Sequence, residues 1–312
     1  MKIGVVLPTY RALASADNIV RAARQSEALG FDSVWVTDHV VVPDASVEAF
    51  GATFYEAATV MAFVAGVTER VQIGAAILIV PYRHPLLLAK ALATADQLSR
   101  GRMILGAGLG WLEAESALLG VSHRGRARIA DETLAVVRAC WESERPEFRG
   151  EVYDLAGFHF APRPYRDRRL PILVGGASTA ALRRAVRFGD GWIGDGQTFE
   201  ELEASLEQLG RELSTAGRSR DGFEVAMRAG LQVAADRSAI TESPSEQGWK
   251  SAEFVTAGRT PFRGMREEIV ADLRRAAGLG VGHVIFEFPV SRGEESLDLF
   301  ETLAEIRNEA RV

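Results

Sequence analysis

The sequence is short of most groups that announce a chemistry by themselves. It has one cysteine, Cys140, in 312 residues. No disulfide can close within the chain, and a reducing cytoplasm is the compartment that fits. Its five histidines, His39, His84, His123, His159 and His283, are dispersed. Without an H-E-x-x-H or comparable spacing, no metal site is expected. There is no G-x-S-x-G elbow, and Cys140 falls in a helical pattern beside Trp141, so covalent catalysis by serine or cysteine has no support. Positive charge is in deficit: 36 Lys and Arg stand against 42 Asp and Glu, a net charge of −6. With no basic run, a nucleic-acid partner is not expected. No apolar run reaches the roughly 18 residues of a membrane span. The opening MKIGVVLPTY is too short an apolar stretch for a signal peptide, and no cleavage pattern follows it. No internal repeat or low-complexity tract is visible.

What is present is alternation. The chain is 47% hydrophobic and 25% charged, ordinary for a globular protein. Short apolar runs alternate with longer helical patterns. Strands are expected at Ile3 to Leu7, Ser33 to Val36, Gln72 to Ile79, Met103 to Ala107, Ile172 to Val174, Gly191 to Ile193, Glu224 to Val233 and His283 to Phe286. A helical pattern follows each one, including Phe54 to Thr68 after the second and Pro85 to Ser99 after the third. Eight such pairs point to a (β/α)₈ TIM barrel. A doubly wound sheet is the competing reading, but it usually carries fewer strands and a glycine fingerprint after the first. Two segments break the rhythm and read as insertions after the fourth and seventh strands. Pro146 to Pro171, rich in Pro, Gly and aromatics, looks like a hairpin. Ala235 to Arg263 is polar and would form a lid or mobile loop.

Four stretches could carry chemistry. Asp38-His39 ends the second strand, where barrel enzymes place their working groups, and histidine moves protons near neutral pH. The bland alternative is an Asp capping a loop over a packed His. GAGLGW, Gly106 to Trp111, ends the fourth strand; its glycines would let a flat ligand approach the backbone, or simply make a tight turn. In PILVGGASTAALRRAV, a strand ends in Gly175-Gly176 and Ser178-Thr179 opens a helix. That arrangement suits an anion at a helix N-terminus, or an ordinary N-cap. AAILIVPYRHP, Ala75 to Pro85, places small residues in a core strand, as ordinary barrel filling or as room for something flat.

Together, AARQSEALGFDSVWVTDHV, RHPLLLAKALATADQLSRGRMILGAGLGW, LPILVGGASTAALRRAVRFGDGWIG and LRRAAGLGVGHVIFEFP resemble the luciferase-like monooxygenase superfamily in order and spacing. They are most similar to its deazaflavin (coenzyme F420)-dependent oxidoreductase branch. The resemblance spans nearly the whole chain and implies one barrel domain over residues 1–312. It implies hydride transfer between coenzyme F420 and a small organic substrate; FMN users share most of these phrases, so an FMN- and oxygen-dependent monooxygenase is the alternative. A barrel that only binds a flavin or a partner chain is a third reading. By this resemblance His39 faces the reactive carbon of the coenzyme and exchanges a proton with substrate, and Asp38 contacts the coenzyme. Ala76-Ile77 form a bulge with a cis peptide that props the ring, Ala107 and Gly108 line its edge, and Gly175, Gly176, Ser178 and Thr179 hold its phosphate. Relatives are often homodimers. The sugar-phosphate dehydrogenases of the branch have a glutamate where this chain has Leu109 and a tryptophan where it has Pro43. A charged sugar is therefore a poorer expectation than an apolar or flat substrate.

Overall fold

A computed structural model describes residues 1–236, 240, 259–288 and 295–312. Eight parallel strand positions close into a barrel. Its strands are β1 (Lys2–Val6), β2 (Ser33–Val36), β3 (Gln72–Ala75) continued by β4 (Leu78–Ile79), β5 (Met103–Gly108), β8 (Ile172–Gly175), β9 (Gly191–Asp195), β10 (Glu224–Gly230) and β13 (His283–Glu287). The order is β3-β2-β1-β13-β10-β9-β8-β5-β4, and a β3–β5 pairing closes the ring. The expected TIM barrel is therefore the observed one.

The flanking helices form where their sequences carry caps and apolar faces. They include α1 (Ala16–Ala28), α3 (Ala57–Val67), α4 (Pro85–Leu98), α6 (Arg126–Glu142), α7 (Thr179–Phe188), α8 (Phe199–Thr215), α9 (Arg266–Gly278) and α10 (Glu295–Ala310), with two short helices, α2 (Val47–Phe50) and α5 (Glu113–Leu118), on the loops. Ser15 caps α1 through Asn18 N–H, and Thr198 with Glu201 forms a capping box on α8. The helix expected from Phe54 begins at Ala57, because the Glu56 side chain accepts the Thr59 N–H and fixes the start there. The hairpin expected within Pro146 to Pro171 is present as β6 (Phe148–Arg149) paired antiparallel with β7 (Asp154–Leu155). The second expected insertion lies largely outside the described residues; its last residues form β12 (Arg263–Gly264), paired with β11 (Gln232–Val233).

Side chains alternate along each strand between the barrel interior and the helix layer. One buried cluster, Val6, Trp35, Ala76, Ile104, Leu173, Ile193, Ala226 and Ile285, fills the interior. Trp35 is its largest member and is fully buried. A Cβ on Gly4 would stand 2.6 Å from its indole nitrogen, and one on Gly74 2.4 Å from its six-membered ring. Those two glycines are the space Trp35 occupies. At the N-terminal ends of β1, β10 and β13, Lys2 and His283 both bind Glu224, at 3.0 Å each, and His283 Nε2 lies 2.8 Å from Ser33 Oγ. That end of the barrel is a polar clamp away from the mouth.

Candidate active site at the barrel mouth

The third strand does not run unbroken from Gln72 to Ile79 as expected. Gly74 pairs with Ile104 and Leu78 with Ala107, so the offset to β5 drops from 30 to 29, which places one extra residue between them: a bulge. The Ala76–Ile77 peptide within it is cis, as the resemblance implies. The bulge turns Ile77 over the mouth. A Cβ on Gly108 would lie 2.4 Å from Ile77 Cδ1, and one on Gly175 2.8 Å from Ile77 Cγ2. The glycines at the ends of β5 and β8 therefore make room first of all for Ile77, which forms an apolar shelf. Ala76 and Ala107 are buried alongside.

Asp38 locks this bulge. Its Oδ2 accepts the Ile79 N–H at 2.8 Å and Arg83 Nη1 at 2.6 Å, and Oδ1 accepts Arg83 Nη2 at 2.9 Å. Arg83 also binds Glu56 at 2.6 Å. The Asp38 side chain is fully buried, and both its oxygens are engaged inside the protein. The resemblance implies a coenzyme contact for Asp38; in this structure its carboxylate fastens the strand that carries Ile77. Burial works against the charged form of Arg83, but the two carboxylates more than offset it and raise its pKa above the usual range.

His39, next in the chain, is 5% exposed. Its Nδ1 lies 2.7 Å from Glu115 Oε2, and Glu115 Oε1 accepts the N–H groups of Val40 at 2.7 Å and Val41 at 3.3 Å. Glu115 sits in α5 with no exposed surface. An ionised Glu115 only accepts hydrogen bonds, so in that pairing Nδ1 is the donor and Oε2 the acceptor. In the neutral ring the basic lone pair is then on Nε2. Aromatic rings frame the imidazole: Phe50 at 6.2 Å nearly parallel, Phe54 at 5.1 Å and Trp111 at 6.3 Å edge-on. Nearby, burial above all, reinforced by the charges of Glu115 and Asp38 and opposed by the bond to Ser116, pushes the Tyr82 phenol up to about 12.

Glu115 was not among the residues the sequence nominated. The signal for it is periodicity: Leu112, Glu115, Ser116 and Leu119 are spaced as one helix face. A carboxylate on the buried face of a short helix beside the barrel mouth is the anomaly worth reading.

Gly175 ends β8, Gly176 follows it, and Ser178 caps α7, its Oγ accepting the Ala181 N–H at 3.2 Å. Ser178 and Thr179 are exposed. The Gly176 N–H is directed to Ile193 O at 3.3 Å, and Trp192 Nε1 donates to Gly176 O at 2.7 Å. This loop is thus pinned from behind, and the N–H groups of the first helical turn, Thr179 and Ala180, are the donors that precede the helix's own ladder. Gly176 has φ +118°, a conformation that favours glycine.

Among the described residues no group of three ligand-type side chains converges as a metal site would need. No helix among them is long and apolar enough to cross a membrane.

The F420-dependent glucose-6-phosphate dehydrogenase of Amycolatopsis mediterranei (strain U-32) is 27% identical over 311 residues, covering 91% of this chain and 92% of that protein. The FMNH2-dependent dimethylsulfone monooxygenase of Pseudomonas putida is 28% identical over 168 residues, 53% of this chain and 46% of that one. In fold, the crystal structure of monooxygenase RslO1 from Streptomyces bottropensis superposes with a TM-score of 0.80 at 23% identity over the whole of both chains. The luciferase-like monooxygenase family model matches residues 1–280. The chain belongs to the luciferase-like monooxygenase family, whose members are oxidoreductases and monooxygenases.

Proposed function

We propose that the protein, acting as one barrel domain, is a coenzyme F420-dependent oxidoreductase that moves a hydride between the deazaflavin and a small organic substrate, with His39 handling the substrate's proton. The observation that carries this reading is the His39–Glu115 pair. An alcohol that loses hydride from its carbinol carbon must also lose its hydroxyl proton, and a carbonyl that gains hydride must gain one. A histidine held as the Nδ1–H tautomer has the basic Nε2 that this exchange needs. The bound deazaflavin would supply the hydride acceptor or donor.

The residues present fit a flat phosphorylated coenzyme. Ile77, seated over Gly108 and Gly175, gives an apolar shelf for a ring, with Ala76 and Ala107 beside it. The first turn of α7, at Ser178 and Thr179 beyond Gly175-Gly176, gives N–H donors and a positive helix end for a phosphate. Asp38 contributes by holding the shelf through Ile79 and Arg83. Phe50, Phe54 and Trp111 limit water at His39. The near full-length match to an F420-dependent dehydrogenase supports this coenzyme over FMN, whose user matches about half of its own length.

Titration of the purified protein with coenzyme F420 and with FMN, followed by absorbance, tests the assignment. Saturable binding of F420 at micromolar or better affinity, with FMN weaker, is expected. Tighter binding of FMN together with oxygen consumption in its reduced form would transfer the assignment to a monooxygenase.

We also infer a homodimer built on α3 and α4. Leu87 and Leu98 on α4 are 71% and 68% exposed, Phe63 on α3 is 43% exposed, and a groove of about 630 Å³ runs between the two helices past Ala62, Leu88 and Ala91. Large apolar side chains grouped on one face are the mark of an interface.

A further inference from the structure

A second polar cluster stands at the barrel mouth, built from strands that the His39 site does not use. Ile193, Ala226 and Ile285 point into the interior. Two residues further along β9, β10 and β13 stand Asp195, Arg228 and Glu287, so these share the inward face one layer nearer the mouth. Arg228 is paired with Asp195 in register across β9 and β10. Its Nη1 donates to Asp195 Oδ1 at 2.9 Å and its Nη2 to Glu287 Oε2 at 2.5 Å. Tyr10, in the loop after β1, donates its hydroxyl to Glu287 Oε1. The ring of Tyr10 stacks on Phe54 at 4.9 Å, and Phe54 meets His39 edge-on at 5.1 Å. Phe54 thus links the cluster to the imidazole.

We propose that Asp195, Arg228, Glu287 and Tyr10 form the substrate-specificity wall of this site, and that they select neutral or cationic substrates carrying a hydroxyl or amine group away from the reacting carbon, against carboxylates and phosphates. The inference rests on the oxidoreductase reading above and adds the substrate class to it.

The chemistry of the cluster sets that preference. Two carboxylates share one guanidinium, −2 against +1, so the three groups sum to −1. Arg228 is 7% exposed, with Nη1 and Nη2 turned onto Asp195 and Glu287, whereas Asp195 is 47% exposed. Asp195 Oδ2 accepts no hydrogen bond among the described residues. The Tyr10 proton is committed to Glu287; burial first, then the Glu287 charge, hold the phenol far above its usual pKa. Arg11 lies 5.3 Å from the Tyr10 ring, and its Nη2 donates to Ala49 O. The wall therefore offers acceptors to a ligand, and it does so in a mouth whose other sides are Ile77, Phe50, Phe54 and Trp111. A few placed polar groups in an apolar pocket orient a ligand and set its specificity. As a device for stability alone, a buried ion cluster is a weak alternative to packed apolar side chains. Discrimination arises because an anionic group would face a carboxylate it cannot pair with.

The test uses a matched series with the coenzyme-loaded protein: trans-1,4-cyclohexanediol, trans-4-aminocyclohexanol and trans-4-hydroxycyclohexanecarboxylate, each oxidised at one carbinol carbon to the ketone with coenzyme F420 as hydride acceptor and His39 as proton acceptor. We expect kcat/KM for the neutral and cationic alcohols to exceed that for the carboxylate by tenfold or more. Asp195→Asn should shrink that ratio at least threefold, mainly through KM, while the affinity for F420 stays within twofold. Glu287→Gln, which keeps an acceptor for Tyr10, is the second variant and should shift the ratio the same way. Equal use of the carboxylate by the wild type, an unchanged ratio in both folded variants, or no turnover of any of the three by protein that binds F420 would overturn the proposal. Failure to bind F420 at all would instead overturn the oxidoreductase reading.

Discussion

Replacing Glu115 by Gln tests the His39 geometry with almost no change of shape. Glu115 receives three donors: the imidazole Nδ1 on one oxygen and the N–H groups of Val40 and Val41 on the other. An amide has one oxygen to offer. If it stays on Val40 and Val41, the NH2 faces Nδ1, and the ring must change to the Nε2–H tautomer. Nε2 then carries a proton where a base is required. If the amide is reversed, the NH2 opposes two backbone N–H groups. Either way a hydrogen bond to a charged group is lost, worth roughly 1.5–3 kcal/mol. If that loss falls on the proton-transfer step, turnover should drop by about 10-fold to 10²-fold, at about 1.4 kcal/mol per tenfold. The assay is steady-state oxidation of the best alcohol of the matched series as a function of pH, with F420 affinity measured separately by absorbance. Affinity should hold, since the shelf and the α7 loop are untouched, and the limb of the pH–rate profile assigned to His39 should move or vanish. A folded Glu115→Gln protein with wild-type turnover and an unchanged profile would refute the orientation of His39 by Glu115.

His39→Ala should lower turnover by roughly 10²-fold or more with much less effect on F420 affinity; parallel losses of rate and affinity would reduce His39 to a packing residue. Asp38→Ala leaves Arg83 and the Ile79 N–H without their buried acceptor and should destabilise the fold by roughly 3–5 kcal/mol in chemical denaturation; a loss below about 1 kcal/mol would contradict its locking role. At the proposed phosphate loop, Gly176 is a poor probe, because its φ of +118° strains any side chain and an added Cβ would stand 3.0 Å from Ala181 Cβ. Ser178→Asp keeps a good N-cap and adds negative charge, so it should weaken F420 binding at least tenfold at unchanged stability; unaltered affinity would place the phosphate elsewhere. Glu224 is drawn upward by burial, but its bonds and charge pairing with His283 and Lys2 win and hold it at about 2. Its folded pKa is depressed, so its contribution, of order 2–3 kcal/mol after allowance for partial exposure, is present above about pH 4.5 and is lost as pH falls toward 2. Glu224→Gln should flatten that part of the acid-unfolding curve followed by circular dichroism, and an unchanged curve would contradict it. Finally, Leu87→Glu together with Leu98→Glu should shift the species seen by sedimentation from dimer to monomer; a wild-type monomer would remove the interface.

The barrel was legible because its signals are local and repeated. Apolar runs of strand length, glycines such as Gly30 at helix ends, and Pro85 opening α4 each state one element, and eight repeats leave few architectures. Asp38-His39 and the β8–α7 loop stood out because polar residues and paired glycines at strand ends interrupt an apolar pattern. What the sequence could not display were partnerships across the fold. His39 and Glu115 are 76 residues apart and Asp38 and Arg83 45, and nothing along the chain says that Asp38 accepts the Ile79 N–H. The glycines at 108 and 175 read as room for a ligand, while the bulge fills that room with Ile77. The break in the third strand is likewise a matter of register between strands, which the run Gln72 to Ile79 conceals because its apolar character continues through Ala76 and Ile77. The wall of Asp195, Arg228 and Glu287 needed the barrel's closure before its members met.

The tautomer of His39 is the most direct measure of the proposed chemistry, and it needs no substrate. In protein labelled with ¹⁵N-histidine, long-range ¹H–¹⁵N correlation separates protonated from bare ring nitrogens for all five histidines, and His39→Asn assigns the signal. At a pH where the ring is neutral, His39 should show a protonated Nδ1 and a bare Nε2, and Glu115→Gln should reverse or mix the two. A wild-type His39 with its proton on Nε2 would contradict the assignment of His39 as the base that takes the substrate's proton.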